Sequence, residues 1–410
     1  MKPCRIEVIN TGSELLCGSV LNTNAAWLGE RLLEHGLRIQ KLTVVPDGEA
    51  IIDAMKACAS RADVVLVSGG LGPTSDDLTR DALAELCGVP MLRDESIVAA
   101  LDAYFAKRGV GVSPSNYRQA MVPQGAMVLP NDNGTAPGLL MPAAAGRAMF
   151  ILLPGPPSEF RPMVEKEVLP RLIGELSGEK PGLQVFKCVG IGESHVQDAV
   201  DDELQSIPEL ELAYCARPGE VDVRLIGRAE VRSKAEMVLR RVLGNYLIEP
   251  QYAGVEFALV DYLLAQGLKL ATAESCTGGL IAKRLTDVPG ASAVFEYGWV
   301  TYANIAKHSQ LGVSLALLDE FGAVSEQVVR EMAEGALARS GADVALAVSG
   351  IAGPGGGTAE KPVGTVWLAW AGKMLPTKSE KIFYPRDRDS FRRMVSTRAL
   401  AGALQMAKSL

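Results

Sequence analysis

The chain has 410 residues, 48% apolar and 22% charged, which is enough for two or three domains with buried cores. A net charge of −7 argues against a general nucleic-acid binder, whose affinity needs a basic surface. Anionic small molecules stay open, because local N–H groups and a few cations outweigh the global sign.

Seven cysteines with no C-x-x-C pair point to a reduced, cytosolic chain, and three histidines (His35, His195, His308) make a His-rich zinc site a poor fit. Met1 to Asn10 lacks a secretory apolar core, and no run is of membrane-spanning length.

Arg5 to Asn10 alternates as a strand and breaks at Thr11-Gly12-Ser13-Glu14-Leu15-Leu16, with Asn22-Thr23-Asn24 shortly after. A helix over Ala25–Glu34, a strand over Ile39–Val45, a helix over Ala50–Ala59 and a strand over Asp63–Val67 follow. Strands alternating with helices predict a mostly parallel, three-layer α/β domain, with ligands beyond the carboxyl ends of its strands.

One such end carries Ser68-Gly69-Gly70-Leu71-Gly72-Pro73-Thr74-Ser75-Asp76-Asp77. Glycines here let backbone N–H groups cradle a phosphate, and Asp76 and Asp77 suit a hard divalent ion. Equally, Thr74 or Ser75 caps a helix whose first turn holds the two aspartates. Asn133-Gly134-Thr135-Ala136-Pro137-Gly138 is a polar turn, and a strand over Phe150–Leu153 ends in Pro154-Gly155-Pro156-Pro157-Ser158-Glu159, with a helix from about Pro157. Both loops suit the same pocket, or simply shape the backbone.

Glu179 to Gly182 reads as a linker. Beyond it lie a strand (Gln184–Val189), a helix (Ser194–Gln205), two strands (Glu211–Ala216, Glu220–Arg228) and a helix (Lys234–Leu243), a small α+β module. Gly190-Ile191-Gly192-Glu193 is too short to count as a nucleotide loop, and His195 reads as a boundary residue.

The last part pairs a strand, Leu268–Thr272, with the turn Ala273-Glu274-Ser275-Cys276-Thr277-Gly278-Gly279 and a helix from Leu280. A hydroxyl at Ser275 would sit by the free N–H groups of a helix start, where an oxyanion can be held. The plainer account is that Ser275 or Thr277 caps the helix. Cys276 is a rival nucleophile. A strand over Val294–Thr301 leads to Tyr302, Asn304 and Lys307. In the absence of a catalytic histidine, a desolvated Lys307 can serve as base, with Tyr302 relaying a proton; otherwise it is a solvated helix lysine. A helix over Ser325–Arg339 and a strand over Asp343–Val348 precede Ser349-Gly350-Ile351-Ala352-Gly353-Pro354, and a long helix starts near Ser390.

Ala273–Gly279, Val300–Asn304 with Lys307, Gly322–Ser325, Ser349–Pro354 and Glu360–Val366 resemble the nicotinamide-nucleotide amidase family. Gly69–Thr74 and Leu153–Pro157 resemble the molybdopterin-binding-like domain, and the middle module resembles a KH-like domain. Their order is similar to that of the CinA (competence/damage-inducible) protein family. The resemblance implies two three-layer α/β domains (1–175 and 253–410) joined by a small α+β module (176–252).

It further implies an amidase turning nicotinamide mononucleotide into nicotinate mononucleotide and ammonia without a cofactor. Ser275 would be the nucleophile, Lys307 the base, Tyr302 part of the relay, and Ser349 an orienting group. Thr277, Gly278, Gly279, Asn304, Gly350 and Gly353 would line the substrate. Arg388 would face its phosphate or ribose, with Arg386 as the alternative.

For the N-terminal half the resemblance implies hydrolysis of ADP-ribose to AMP and ribose 5-phosphate with a divalent metal such as magnesium. Asp76, Asp77 and Glu14 would serve the metal, and Gly69, Gly70, Gly72, Thr74, Asn22 and Thr135 the nucleotide, with Glu159 in second rank. Pterin-nucleotide adenylyl transfer, or a non-enzymatic competence or DNA-damage role, are the other readings. The acidic helix Asp198, Asp201, Asp202, Glu203 speaks against RNA binding. A homodimer without membrane partners is expected.

Overall fold

The computed structural model describes residues 4–175 and 181–410. It divides into two compact units, Met1–Leu183 and Gln184–Leu410. In the first unit the alternating apolar and amphipathic runs become β1 (Ile6–Thr11), α1 (Ser13–Leu16), α2 (Thr23–Glu34), β2 (Ile39–Val45), α3 (Ala50–Ala59), β3 (Val64–Ser68) and α4 (Thr79–Cys87). They continue as β4 (Met91–Arg93), α5 (Glu95–Ala106), β5 (Met121–Pro123), β6 (Met127–Leu129), β7 (Gly138–Met141), β8 (Met149–Leu153), α6 (Pro157–Met163) and α7 (Leu169–Glu175).

The main sheet has the order β2-β1-β3-β8-β7-β6. Its first four strands are parallel and the last two antiparallel. β1 and β3 are buried throughout, as central strands covered on both faces must be. Ile51, Met55 and Leu83 of α3 and α4 pack with Val65 and Phe150 on one face. Leu28, Leu32 and Phe160 of α2 and α6 pack with Leu66 and Ile151 on the other.

The second unit starts within β9 (Gly182–Val189) and continues with α8 (Glu193–Gln205), β10 (Glu211–Arg217), β11 (Glu220–Gly227), α9 (Ala229–Leu243) and β12 (Leu247–Ile248), a small module with sheet order β10-β11-β9-β12. Then come α10 (Val255–Gln266), β13 (Leu270–Glu274), α11 (Leu280–Thr286), β14 (Phe295–Val300), α12 (Asn304–Leu311), α13 (Leu315–Phe321) and α14 (Glu326–Ser340). β15 (Val344–Gly350), β16 (Thr365–Gly372), β17 (Leu375–Phe383) and α15 (Arg388–Ala407) complete it. The second main sheet runs β14-β13-β15-β16-β17, with β13 parallel to both neighbours and β16 and β17 antiparallel. Leu259, Leu285 and Val395 cover one face, and Val329 and Met332 the other. Both large domains are thus three-layer α/β.

Several boundaries depart from the sequence reading. α4 begins at Thr79, so Asp76 and Asp77 precede the helix instead of occupying its first turn, and neither Thr74 nor Ser75 caps it. The cause is local: Thr79 donates its hydroxyl to the Gly69 carbonyl and its amide to that of Gly70, fastening the chain to the glycine loop first. Thr11-Gly12-Ser13-Glu14 leads into the short helix α1, which starts at Ser13, instead of forming a bare turn. β13 extends to Glu274, which makes that residue the end of a strand. Of the expected linker, Glu179 and Lys180 lie outside the described residues, and Gly182 already belongs to β9.

Helix α15 is pinned at its centre by Trp370, whose indole Nε1 donates to the Ala399 carbonyl at 2.8 Å. A Cβ on Gly402 would stand 2.2 Å from that ring. Gly402→Ala, which ordinarily favours a helix, is therefore expected to destabilise the protein by about 1–3 kcal/mol, measured as a shift in denaturant midpoint.

Candidate active site

β13 delivers Glu274 and Ser275 to the carboxyl edge of the second sheet, where the Ser275 amide donates to the Val348 carbonyl of β15 at 3.1 Å. Gly278 and Gly279 then turn with φ of +58° and +89°, a left-handed pair that a side chain would strain. The carboxylate of Glu274 is fully buried and turns back over this bend. It accepts from Thr277 Oγ1 (2.7 Å), Gly279 N (3.0 Å), Ile281 N (3.1 Å) and Ala282 N (2.8 Å).

This arrangement corrects the expectation that the helix start of α11 is free to hold an oxyanion: the amides of Ile281 and Ala282 are spent on Glu274 and that of Leu280 on the Thr277 carbonyl. The amides of Cys276 and Thr277 are the ones left without a protein acceptor among the described residues. For Thr277 the correction concerns the side chain, which is not free to bind a substrate. It is fully buried, its hydroxyl is committed to Glu274, and its carbonyl accepts two bonds from Arg392, at 3.1 and 2.5 Å.

Lys307 reaches the same point from the first turn of α12. It is 1% exposed, and its Nζ lies 3.2 Å from Ser275 Oγ, 2.7 Å from the Thr301 carbonyl and 3.3 Å from the Tyr302 carbonyl. Burial pushes its pKa from 10.5 down to about 8. An ammonium can donate to all three oxygens, while a neutral amine can donate to the two carbonyls and accept from the serine hydroxyl, so the same geometry serves both protonation states. Cys276 is buried, and loss of solvation raises its thiol to about 12, which disfavours a thiolate.

Tyr302 contributes to Lys307 through its carbonyl. Its exposed phenol instead accepts from Arg388 Nη2 at 3.2 Å, so the side-chain relay is not formed. Ser349 is buried and donates to the Ala323 carbonyl at 2.7 Å, away from the dyad's own hydrogen bonds. Gly350 is needed by the sheet, since a Cβ there would meet Val366 at 2.7 Å. The Gly353 carbonyl accepts from Arg388 Nη1 at 2.9 Å, which joins that loop, Tyr302 and Arg388 on one rim. Asn304 is exposed on the first turn of α12, and Arg386 is exposed without a side-chain contact among the described residues. Glu274 and Arg392 were missed because neither belongs to a recognised nucleophile–base pattern.

In the first unit the ends of β1, β3 and β8 converge. A Cβ on Gly69 would lie 2.6 Å from the Thr11 carbonyl, and one on Gly70 2.1 Å from Thr79 Oγ1, so both glycines are demanded by close approach. Asn22 caps α2 by accepting from Ala25 N, and donates to Asn10. The Asn24 side chain bonds the Gly155 carbonyl at 2.7 Å. Asn131 bonds Glu159, and Gly134 packs on that carboxylate, so the two polar loops do meet. Thr135 lines a cavity of about 460 Å³ beside α5 with Ser96, Tyr104 and Lys107.

The metal set is only partly assembled. Asp77 folds over Gly72 and accepts from the amide and hydroxyl of Thr74, while exposed Asp76 is held below the usual carboxylate range by the Thr74 hydroxyl. Glu14 folds over Gly12 at the start of α1. No three acidic, cysteine or histidine side chains are grouped as a metal cage among the described residues, so Glu14 does not complete one with Asp76 and Asp77. Two neighbouring aspartates still fit a magnesium ion held largely by water and phosphate. Sequence reasoning also missed Arg80, buried beneath the loop and donating to the Leu71 and Gly72 carbonyls at 2.5 and 2.9 Å.

Comparison with known proteins matches residues 253–407 to the CinA C-terminal domain, 7–174 to the probable molybdopterin binding domain and 184–245 to the damage-inducible protein CinA KH domain. A CinA-like protein of Akkermansia muciniphila is 61% identical over 98% of both chains. A putative competence-damage inducible protein of Symbiobacterium thermophilum is 47% identical over 96% of this chain and 97% of that one. Among solved structures, the competence/damage inducible protein CihA from Agrobacterium tumefaciens is 44% identical, with a TM-score of 0.35, over 38% of this chain and 96% of that one. The chain belongs to the CinA family.

Glu274→Gln puts an amide NH₂ where an N–H donor now points. We expect a loss of about 2–3 kcal/mol in the urea-unfolding free energy of the second unit, because a buried donor goes unsatisfied.

Proposed function

We propose that this chain is a bifunctional NAD-salvage hydrolase whose second unit deamidates nicotinamide mononucleotide. The observation that carries the reading is a buried lysine amine within hydrogen-bond reach of a serine hydroxyl, with no carboxylate in ion-pair contact among the described residues. Lys307 accepts the Ser275 proton as Oγ attacks the carboxamide carbon, and the amides of Cys276 and Thr277 face the oxyanion. The proton passes to departing ammonia. Water then cleaves the acyl-serine ester, giving nicotinate mononucleotide and free Ser275. Arg388, on the rim with Tyr302 and Gly353, offers a fork for the substrate phosphate.

For the first unit we propose hydrolysis of ADP-ribose to AMP and ribose 5-phosphate. Asp76 and Asp77 would hold a divalent ion, which supplies charge for the pyrophosphate oxygens. The glycine-loop amides and the buried Arg80 make the loop electropositive. A reducing cytosol agrees with seven cysteines, none in a disulfide. No described helix is long and apolar enough to cross a membrane. A homodimer is part of the proposal, checked by light scattering.

Ammonia release from nicotinamide mononucleotide is the deciding assay. Ser275→Ala and Lys307→Met are expected to abolish it while remaining folded, and Cys276→Ala to retain it. Full activity in Ser275→Ala, or an inert wild type, would overturn the assignment. Because the base must be neutral and its pKa is lowered to about 8, kcat/KM should rise with pH through about 8 and level off above. In the first unit, chelation should abolish AMP release from ADP-ribose, and Asp76→Asn should lower it about 10–100-fold. Adenylyl transfer to a pterin without AMP release would reject that half.

A further inference from the structure

The middle module is packed into the amidase unit as part of one core. Val189 and Ile248 from β9 and β12 share an apolar cluster with Leu259, Leu346 and Val395 of the C-terminal domain. The tip of the β10–β11 hairpin, Pro218-Gly219, presses on helix α15. Gly219 has φ +85°, and a Cβ there would lie 3.0 Å from Thr397 Cβ and 3.2 Å from Met394 Cα. The next residue, Glu220, stands 3.7 Å from Arg284 of α11. That guanidinium donates to Ser396 Oγ and Thr397 Oγ1 of α15, each at 2.8 Å, and to Glu256 of α10 at 2.6 Å.

The contacted stretch of α15 continues directly into Arg392 and Arg388. Arg392 grips the carbonyl of Thr277 in the nucleophile turn, and Arg388 holds Gly353 and Tyr302. The hairpin tip, the Arg284 fork and α15 therefore form one mechanical path from the module to both rims of the Ser275 site. The module's two helices are separated by this hairpin, so no helix–loop–helix clamp for a nucleic-acid backbone is formed.

We propose that the hairpin tip, through Gly219 and Glu220, is a positioning element of the amidase: it sets α15, and with it Arg388 and Arg392, against the nucleophile turn. The inference concerns the same site as the amidase reading and rests on it for the kinetic test alone.

The variants are Gly219→Ala, which adds a methyl against α15, and Glu220→Gln, which removes the charge facing Arg284; Met237→Ala, on an exposed part of α9, is the control. With full-length protein and nicotinamide mononucleotide, Gly219→Ala should lower kcat/KM about tenfold with a raised KM, Glu220→Gln should shift both in the same direction, and the control should match wild type. A mere loss of folded protein lowers the apparent kcat and leaves KM alone; that outcome, or wild-type kinetics in both hairpin variants, overturns the proposal. Amide hydrogen exchange supplies a readout free of the substrate assignment. Residues 275–282 and 388–397 should exchange faster in Gly219→Ala, and unchanged exchange there overturns the brace even if wild type proves inert on nicotinamide mononucleotide.

Discussion

A lysine amine held 1% exposed without an opposing carboxylate in contact is the constraint on which the C-terminal domain turns. Taking an ammonium out of water costs several kcal/mol in real proteins, and the protein lowers that cost by letting the amine lose its proton. The three oxygens around the amine accept from it when it is charged, and once it is neutral the serine hydroxyl can donate to its lone pair, so the site serves both states without rearrangement. The sign of the linkage follows. The folded pKa, about 8, lies below the unfolded value of 10.5, so burial of Lys307 destabilises the fold at pH below about 8. The penalty shrinks as pH rises through the window between those values and is gone above the unfolded pKa. A group carrying such a penalty is the kind of strain that functional sites retain.

The nucleophile turn shows why the helix-start argument was half right. A short turn between a strand and a helix does expose N–H groups, but a strand-end carboxylate already satisfies the later ones. Glu274 thus neutralises the positive end of α11 and freezes the bend that presents Ser275. The cost is that helix α11 offers little to an anionic substrate. In the proposed amidase, recognition of the substrate phosphate would then fall to side chains such as Arg388 on the rim with Gly353 and Tyr302.

Much of the architecture was legible because it rests on local rules. Buried runs such as Val64–Ser68 and Val344–Gly350 announce central strands, and the alternation with helices announces three layers. Ser275 and Lys307 were legible as types, a hydroxyl at a turn and a lysine just beyond a strand end. What the chain order hides is which polar groups consume one another. Asp77 reads as an unengaged carboxylate until it is seen accepting from Thr74, and Tyr302 reads as a relay until its phenol is seen on Arg388. Glu274, Arg392 and Arg80 act across gaps or through backbone carbonyls, where no spacing rule reaches.

The two units solve the glycine-turn problem with opposite charge. In the second, a buried carboxylate closes the turn from below and consumes its later amides, those of Gly279, Ile281 and Ala282. In the first, a buried guanidinium closes it, and Arg80 binds carbonyls instead of amides. Gripping carbonyls leaves the amides of Gly70, Leu71 and Gly72 without a protein acceptor among the described residues and puts a positive charge behind them, the polarity that the proposed pyrophosphate substrate requires. Desolvation works against that guanidinium, yet an arginine stays charged through any accessible pH, so the loop's polarity is permanent. Similar loops, one closed by an acid and one by a base, thereby agree with the different chemistry proposed for the two units: attack on a neutral amide in one and cleavage of an anionic anhydride in the other.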